Sequence, residues 1–411
     1  MDTWGLGMQP GVSRRGFLKG AMLGSLGAVA LGSTPYAMAR ALLAGKTAAD
    51  VQGYGIPKGI VRLNFNENPL GPSPKALEAV TQHLHEVNRY GGWPEELFPK
   101  LNKINGNPMT GLDSKNEEEQ RKAWEQNRIF LANGSAALLR LAAMAYLFNG
   151  GELIEAEPGY GDVSGWASWM VRRKKRPITI TRVPLTPDKR HDLDAMRKAI
   201  TAETKLIIVT NPNNPTGTIV SREALEKFID SVPETVTVLV DEAYIHFVKD
   251  PAYKNAADLA VTRPNVLVTR TFSKVYGMPG IRVGYAIGTQ KVMENFWIYD
   301  EPQFSSLSLY AANAALDDEE HVRKSKQVVW EGREYLSREL KALNLSYTPS
   351  EANFIVVDVK DPKALVEQLA KQKVFVRNAE AMWKVTNHIR VSIGTMEENE
   401  VFINALRQAL A

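Results

Sequence analysis

The chain contains no cysteine among its 411 residues. Disulfides, cysteine-ligated iron–sulfur clusters and thiol catalysis are therefore excluded. Charge of one sign is also in short supply. Lys and Arg number 50 against 46 Asp and Glu, a formal net charge of +4, and half of that excess lies in residues 1–39. So weak a balance gives no electrostatic argument for binding nucleic acid. Histidine occurs six times without paired metal-ligand spacing, so no metal site is read; His191 and His246 are taken as ordinary core or surface residues. The dinucleotide glycine fingerprint is missing too, because Gly159-Tyr160-Gly161 is followed by Gly165 at the wrong spacing. No apolar run approaches the roughly 20 residues that a bilayer-crossing helix needs.

The longest uncharged apolar stretch, about Gly20 to Gly32, follows Ser13-Arg14-Arg15-Gly16-Phe17-Leu18-Lys19 and precedes Ala37-Met38-Ala39. A twin-arginine pattern, a short apolar segment and a small-x-small cleavage signal in that order read as a twin-arginine (Tat) export signal. This predicts that residues 1–39 are a signal peptide cleaved near Ala39. It further predicts a mature protein without a membrane span, located in the periplasm or secreted, with the Tat export machinery as a partner. That route carries folded proteins, which suits a protein that takes up a cytoplasmic cofactor before export.

The rest has a globular composition, 44% apolar and 23% charged, and is long enough for two domains. Short β-branched runs at Ile129–Leu131, Leu153–Ala156, Ile178–Val183, Leu206–Val209, Val236–Val240, Val266–Thr269 and Val283–Ile287 read as strands buried on both faces. Helical patterns such as Ala136–Phe148, Leu193–Ile200 and Arg222–Val232 lie between them. This alternation predicts an α/β fold with a mostly parallel sheet covered by helices. Beyond it, about Ala311 to Leu343 reads as helical. Asn353–Val359 (strand), Pro362–Gln372 (helix), Ile389–Ile393 (strand) and Glu397–Leu410 (helix) then read as a second α/β layer. The expected organisation is an N-terminal arm over 40–75, a large domain over 76–300 and a small C-terminal domain over 301–411. The charged stretch Asp113–Gln126 and the basic run Arg172–Arg176 read as solvated helix or helix end.

Three runs carry chemistry: Asn211-Pro212-Asn213-Asn214-Pro215-Thr216-Gly217 after one strand, Val240-Asp241-Glu242-Ala243-Tyr244 at the end of another, and Thr271-Phe272-Ser273-Lys274-Val275-Tyr276-Gly277-Met278-Pro279-Gly280-Ile281-Arg282 after a third. Open α/β sheets place ligands at the carboxyl ends of their strands. Any one of these runs is a weak sign, but together and in this order they form a strong constellation. With Asn64–Pro74, Asn88-Arg89-Tyr90, Asn133-Gly134-Ser135, Pro158-Gly159-Tyr160 and Ile389–Gly394, they resemble the class I and II pyridoxal phosphate-dependent aminotransferases, fold type I. The branch most resembled is histidinol-phosphate aminotransferase, and the likeness runs from about Val61 to Ala411.

The resemblance implies pyridoxal 5′-phosphate as cofactor, with the Lys274 amine bonded to its aldehyde and later carrying the reaction proton. Asp241 would keep the pyridine nitrogen protonated. Asn214 and Tyr244 would hydrogen-bond the ring's phenolic oxygen, and Tyr160 would stack on the ring. Gly134, Ser135 and Ala136 at a helix start, with Thr271, Ser273 and Arg282, would hold the phosphate. Tyr90 would reach that phosphate from the neighbouring subunit of a homodimer, although Gly91-Gly92-Trp93 are inserted before Pro94 where relatives continue directly to proline. Arg390, with Arg377 and Asn68, would bind substrate, Arg390 gripping its anionic end. The implied reaction moves an amino group between an amino acid or amine and a 2-oxo acid. A lyase, decarboxylase, racemase or cyclase on the same cofactor is the alternative, since fold does not settle reaction. Asp300 or Glu301 is expected to bias the pocket towards cationic or amide-bearing side chains.

Overall fold

A computed structural model describes residues 46–299 and 304–411. The twin-arginine leader with Arg14, Arg15 and Ala39, and the pair Asp300 and Glu301, lie outside the described residues.

The strands in chain order are β1 (Val61–Arg62), β2 (Ile129–Ala132), β3 (Gly151–Glu157), β4 (Ile178–Pro184), β5 (Thr204–Thr210), β6 (Thr237–Asp241), β7 (Val266–Thr271), β8 (Gly284–Ile287), β9 (Tyr347–Thr348), β10 (Phe354–Asp358), β11 (Val374–Phe375), β12 (Arg377–Asn378) and β13 (His388–Ser392). All seven apolar runs expected as strands enter one seven-stranded sheet in the order β2-β8-β7-β6-β5-β3-β4. Pairing is parallel from β7 through β4, and only β8 runs against its neighbours. The central strands are buried on both faces. Ile207, Val209, Val238, Val240, Val266 and Val268 face one apolar cluster, while Leu206, Ile208, Leu239 and Leu267 face another. Alternate residues of a strand point to opposite faces, so a continuous apolar run is needed when helices cover both.

One helical expectation needs correction. The stretch from Ala311 to Leu343 is two helices, Ser306–Leu316 and Glu319–Ala342, broken at Asp317-Asp318. The Asp318 carboxylate accepts from the His321 amide, 3.2 Å, and from the Ser73 hydroxyl, 2.8 Å. A carboxylate that caps the following helix makes a new start more favourable than continuation. The basic run ends the helix Asp162–Lys174 in solvent, as expected.

Residues 347–392 supply a four-stranded antiparallel sheet, β12-β13-β10-β9. The stretch expected as an arm is tied to this region. β1 pairs in parallel with β11, and the Ser392 amide donates to the Leu63 carbonyl, 2.8 Å. This pairing fixes the course of the chain through Asn64, Phe65 and Asn66. Among the described residues no helix is long and apolar enough to cross a membrane.

Candidate active site

The carboxyl ends of five strands converge. Asp241 is the last residue of β6, Asn214 follows β5, Lys274 follows β7 and Tyr160 follows β3. Ser135 follows β2, which points the same way as β7 because both run antiparallel to β8. Between these ends lies a cavity of about 340 Å³. Ser135, Ala136, Tyr160, Asn214, Asp241, Tyr244, Thr271, Ser273, Lys274, Arg282, Arg377 and Arg390 all line it. Gly134 adjoins it as N-cap of the helix Ser135–Leu147, with φ 87°.

Ser135 opens a 13-residue helix, whose first amides have no partners inside the helix. Thr271, Ser273 and Arg282 line the same cavity. Arg282 is held by donating to the Pro279 carbonyl, 2.7 Å, and to the Asn133 carbonyl, 3.3 Å. Asp241 is 3% exposed and accepts from the Thr269 hydroxyl at 3.0 Å. Burial pushes its carboxyl up to about 7, so a cation beside it would be strongly favoured. The Lys274 Nζ donates to the Asn66 carbonyl, 3.1 Å, and approaches the Phe65 carbonyl, 3.4 Å. Burial, then the nearby Arg390 charge, brings this amine down to about 8. The Tyr244 hydroxyl accepts from Asn66 Nδ2 at 3.0 Å and from Asn214 Nδ2 at 3.4 Å.

Arg377 and Arg390 are Cα partners across β12 and β13, which puts both side chains on one face of the small sheet. They share an acceptor, the Asn64 carbonyl, at 3.3 and 3.2 Å. Among the described residues neither guanidinium is paired with a carboxylate. Arg390 is 4% exposed, and burial lowers even its guanidinium to about 10. Two like charges side by side without a countercharge could accept an oxyanion between them.

Two expected residues are not brought to the cavity. The Asn68 amide donates to the Val275 carbonyl and to the Ser325 hydroxyl, both at 2.8 Å, and its Oδ1 accepts from the Leu70 amide, 3.0 Å. It ties the segment after β1 to its neighbours. Tyr90 is fully exposed and does not line the cavity of its own chain. Phe65, Asn66, Ala243 and Pro279 also line it, inside the motif runs but without an expected role of their own, and so do Met382 and Trp383, which lie outside them. For Asn66 the missed signal is its left-handed backbone, φ 54°, a conformation asparagine tolerates better than most residues. His191 is buried with Nε2 2.9 Å from the Thr210 carbonyl, and the half-buried His246 packs edge-on to Tyr276. No cluster of metal-ligating side chains occurs among the described residues.

The donor set suits a flat ring with a phosphate arm. Hydroxyls, a helix start, a guanidinium, a buried carboxylate, an amine, an amide and a phenol all line one cavity. These are the groups that could hold pyridoxal phosphate. The family model for aminotransferase class I and II matches residues 58–406. The chain belongs to this family. A histidinol-phosphate aminotransferase of Moorella thermoacetica is 38% identical over 375 residues, covering 89% of this chain and 90% of the relative. Histidinol-phosphate aminotransferase 2 of Pseudomonas aeruginosa is also 38% identical, over 357 residues, 86% of this chain and 90% of the relative. The fold matches the crystal structure of histidinol-phosphate aminotransferase from Sinorhizobium meliloti in complex with pyridoxal-5′-phosphate. The TM-score is 0.70 at 23% identity, with 93% of this chain and 95% of that chain covered. The fold of this aminotransferase is thus one it shares with a solved structure.

Proposed function

We propose that this aminotransferase uses pyridoxal phosphate to move an amino group from a donor with an anionic end to a 2-oxo acid, and that it works after export. One observation carries the chemical part: Lys274, Asp241 and the Arg377–Arg390 pair face one cavity. Bound pyridoxal phosphate supplies an electron sink for the pair of electrons left when the substrate Cα loses its proton. The neutral Lys274 amine, favoured by burial, takes that proton at Nζ and hands it on within the cavity. Asp241 holds a positive charge on the ring nitrogen side. Ser135, Thr271, Ser273 and Arg282, with the helix amides, anchor the phosphate arm. Asn214 and Tyr244 would hydrogen-bond the ring, and Tyr160, at the cavity wall, would pack against it. Arg390, seconded by Arg377, takes the anionic end of the substrate.

The assembly we infer is a homodimer in which Tyr90 serves the neighbouring site, with the large and small domains dividing near residue 300. Export rests on the Arg14-Arg15 pattern and on the following apolar and cleavage segments. A panel of amino acids and amines, offered with several 2-oxo acids to the purified, cofactor-loaded protein, tests the reaction. The expected product is the amino acid of the acceptor, identified by mass spectrometry. Release of carbon dioxide, or of an eliminated side chain without transamination, would reject the reading. For export, replacing both Arg14 and Arg15 by lysine is expected to leave unprocessed protein in the cytoplasm.

A further inference from the structure

Arg390 is held on every side by groups that are not carboxylates. Its Nη1 donates to Asn214 Oδ1 at 2.8 Å and its Nη2 to the Asn64 carbonyl at 3.2 Å, while Nε is buried without a partner. Two aromatic rings also lie against the guanidinium. The Phe354 ring lies 5.2 Å from the guanidinium carbon, and the Trp383 ring lies closer, at 4.3 Å. Phe354 belongs to β10, in the middle of the small sheet, and is fully buried. Trp383 has a different setting. It ends the five-residue helix Ala379–Trp383, lines the cavity and is only partly buried. That short helix is set in place by Asn378, whose Oδ1 accepts from the Ala381 amide, 2.9 Å, and by Glu380, which accepts from the Asn387 amide, 3.0 Å. The indole also packs against Val356, Ala379 and Val385.

A buried guanidinium without a countercharge is costly, and an indole face is among the better apolar surfaces to set against it. Packing of the indole against the 4% exposed guanidinium also helps to keep water off the cation. It restricts the movement of the guanidinium, so that less rotamer freedom remains to be lost when an oxyanion arrives. From this geometry we infer that Trp383 is a positioning residue for substrate binding: its indole face fixes Arg390 for the oxyanion of the substrate. The inference rests on the proposed role of Arg390 as the anion grip. Trp383 touches the arginine and does not enter the proton transfers at Lys274, so its loss acts on binding of the anionic end.

The experiment compares cofactor-loaded wild type with Trp383→Phe, Trp383→Leu, Trp383→Met and Arg390→Ala. Inorganic phosphate and 3-phenylpropionate serve as probes, titrated by calorimetry and through the cofactor absorption band. The two probes separate a phosphate-ended from a carboxylate-ended substrate. Leucine and methionine keep apolar bulk against Val356 and Val385 but have no ring face; phenylalanine keeps one. For whichever anion wild type binds, Trp383→Leu and Trp383→Met are expected to weaken binding about tenfold or more at unchanged thermal stability. Trp383→Phe is expected to stay within about threefold of wild type. In turnover, KM for the amino donor should rise in the ringless variants while kcat holds. Wild-type affinity in both ringless variants, beside lost affinity in Arg390→Ala, would overturn the inference alone. Unchanged affinity in Arg390→Ala would overturn the anion-grip reading and the inference with it.

Discussion

Arg390 and Asn214, 176 residues apart in sequence, meet through a hydrogen bond of 2.8 Å from Nη1 to Oδ1. The bond joins the loop after β5 to the antiparallel sheet near the C-terminus, and it spends the Asn214 oxygen on the arginine while the amide nitrogen faces the Tyr244 hydroxyl. One amide thereby contacts both the Arg390 guanidinium and the Tyr244 phenol. Asn214→Ala strips a partner from a buried charged donor, a loss typically worth about 1–3 kcal/mol. The expected result is a fall in kcat/KM of about tenfold or more, in which KM for the amino donor takes a share. Steady-state kinetics checks this. Wild-type kcat/KM would show that the 2.8 Å bond contributes nothing to the site.

Lys274 is expected to carry the cofactor. Borohydride reduction of the loaded protein should abolish its visible absorption band, and peptide mapping should find the pyridoxyl group on Lys274. Because the amine is drawn down to about 8, the reactive neutral form becomes dominant above that pH. The rate of reloading cofactor-free protein should therefore climb with pH towards about 8 and then level off. A label on another lysine, or a rate still climbing steeply beyond pH 9 as for an ordinary lysine, would reject the assignment.

The parallel sheet was legible because strands buried on both faces need apolar runs, and β5, β6 and β7 carry them at Leu206–Val209, Val238–Val240 and Val266–Val268. The groups that follow those strands were legible as well, since Asn214, Asp241 and Lys274 stand where an open sheet presents side chains to a ligand. Asn66 and Trp383 were not. Asn66 reaches the cavity because β1 pairs with β11 more than 300 residues away, a contact with no local signature. Trp383 reaches it from a helix of five residues, too short to show a periodicity. Asn68 misled for the opposite reason. It sits in the same polar run as Asn64 and Asn66, yet its amide satisfies a backbone carbonyl and a serine rather than a ligand.

His191 is expected to limit stability in acid. Burial draws its imidazole down from 6.5 to about 4. Between these values the unfolded chain binds a proton that the folded chain refuses, so folding becomes less favourable as pH drops from about 6.5 to about 4. The full gap is worth on the order of 3 kcal/mol. His246, drawn down to about 3 by burial, acts in the same direction and over a wider range. Denaturant unfolding of wild type and His191→Gln across pH 7 to 4 checks the first residue. The variant should lose less stability than wild type over that span. Parallel curves for the two proteins would mean that His191 takes up its proton in the folded state.

Gly134 supplies the last test, at the phosphate end of the cavity. Its φ of 87° lies where side chains are strained, and a Cβ there would overlap the Arg282 guanidinium. The missing side chain allows Arg282 to lie against the start of the helix Ser135–Leu147, where it donates to the Asn133 carbonyl at 3.3 Å. Gly134→Ala forces either the arginine or the helix start to move, and both are parts of the anchor for the phosphate arm. Retention of cofactor, measured by equilibrium dialysis, is expected to weaken about tenfold or more, with a modest fall in thermal stability from the strained backbone. The double variant Gly134→Ala, Arg282→Ala should hold cofactor no more weakly than Arg282→Ala by more than a few-fold, because the overlap is gone and the arginine's contribution is already lost. Full additivity of the two losses would show that Gly134 acts on the helix start alone and that the close approach of Arg282 is incidental.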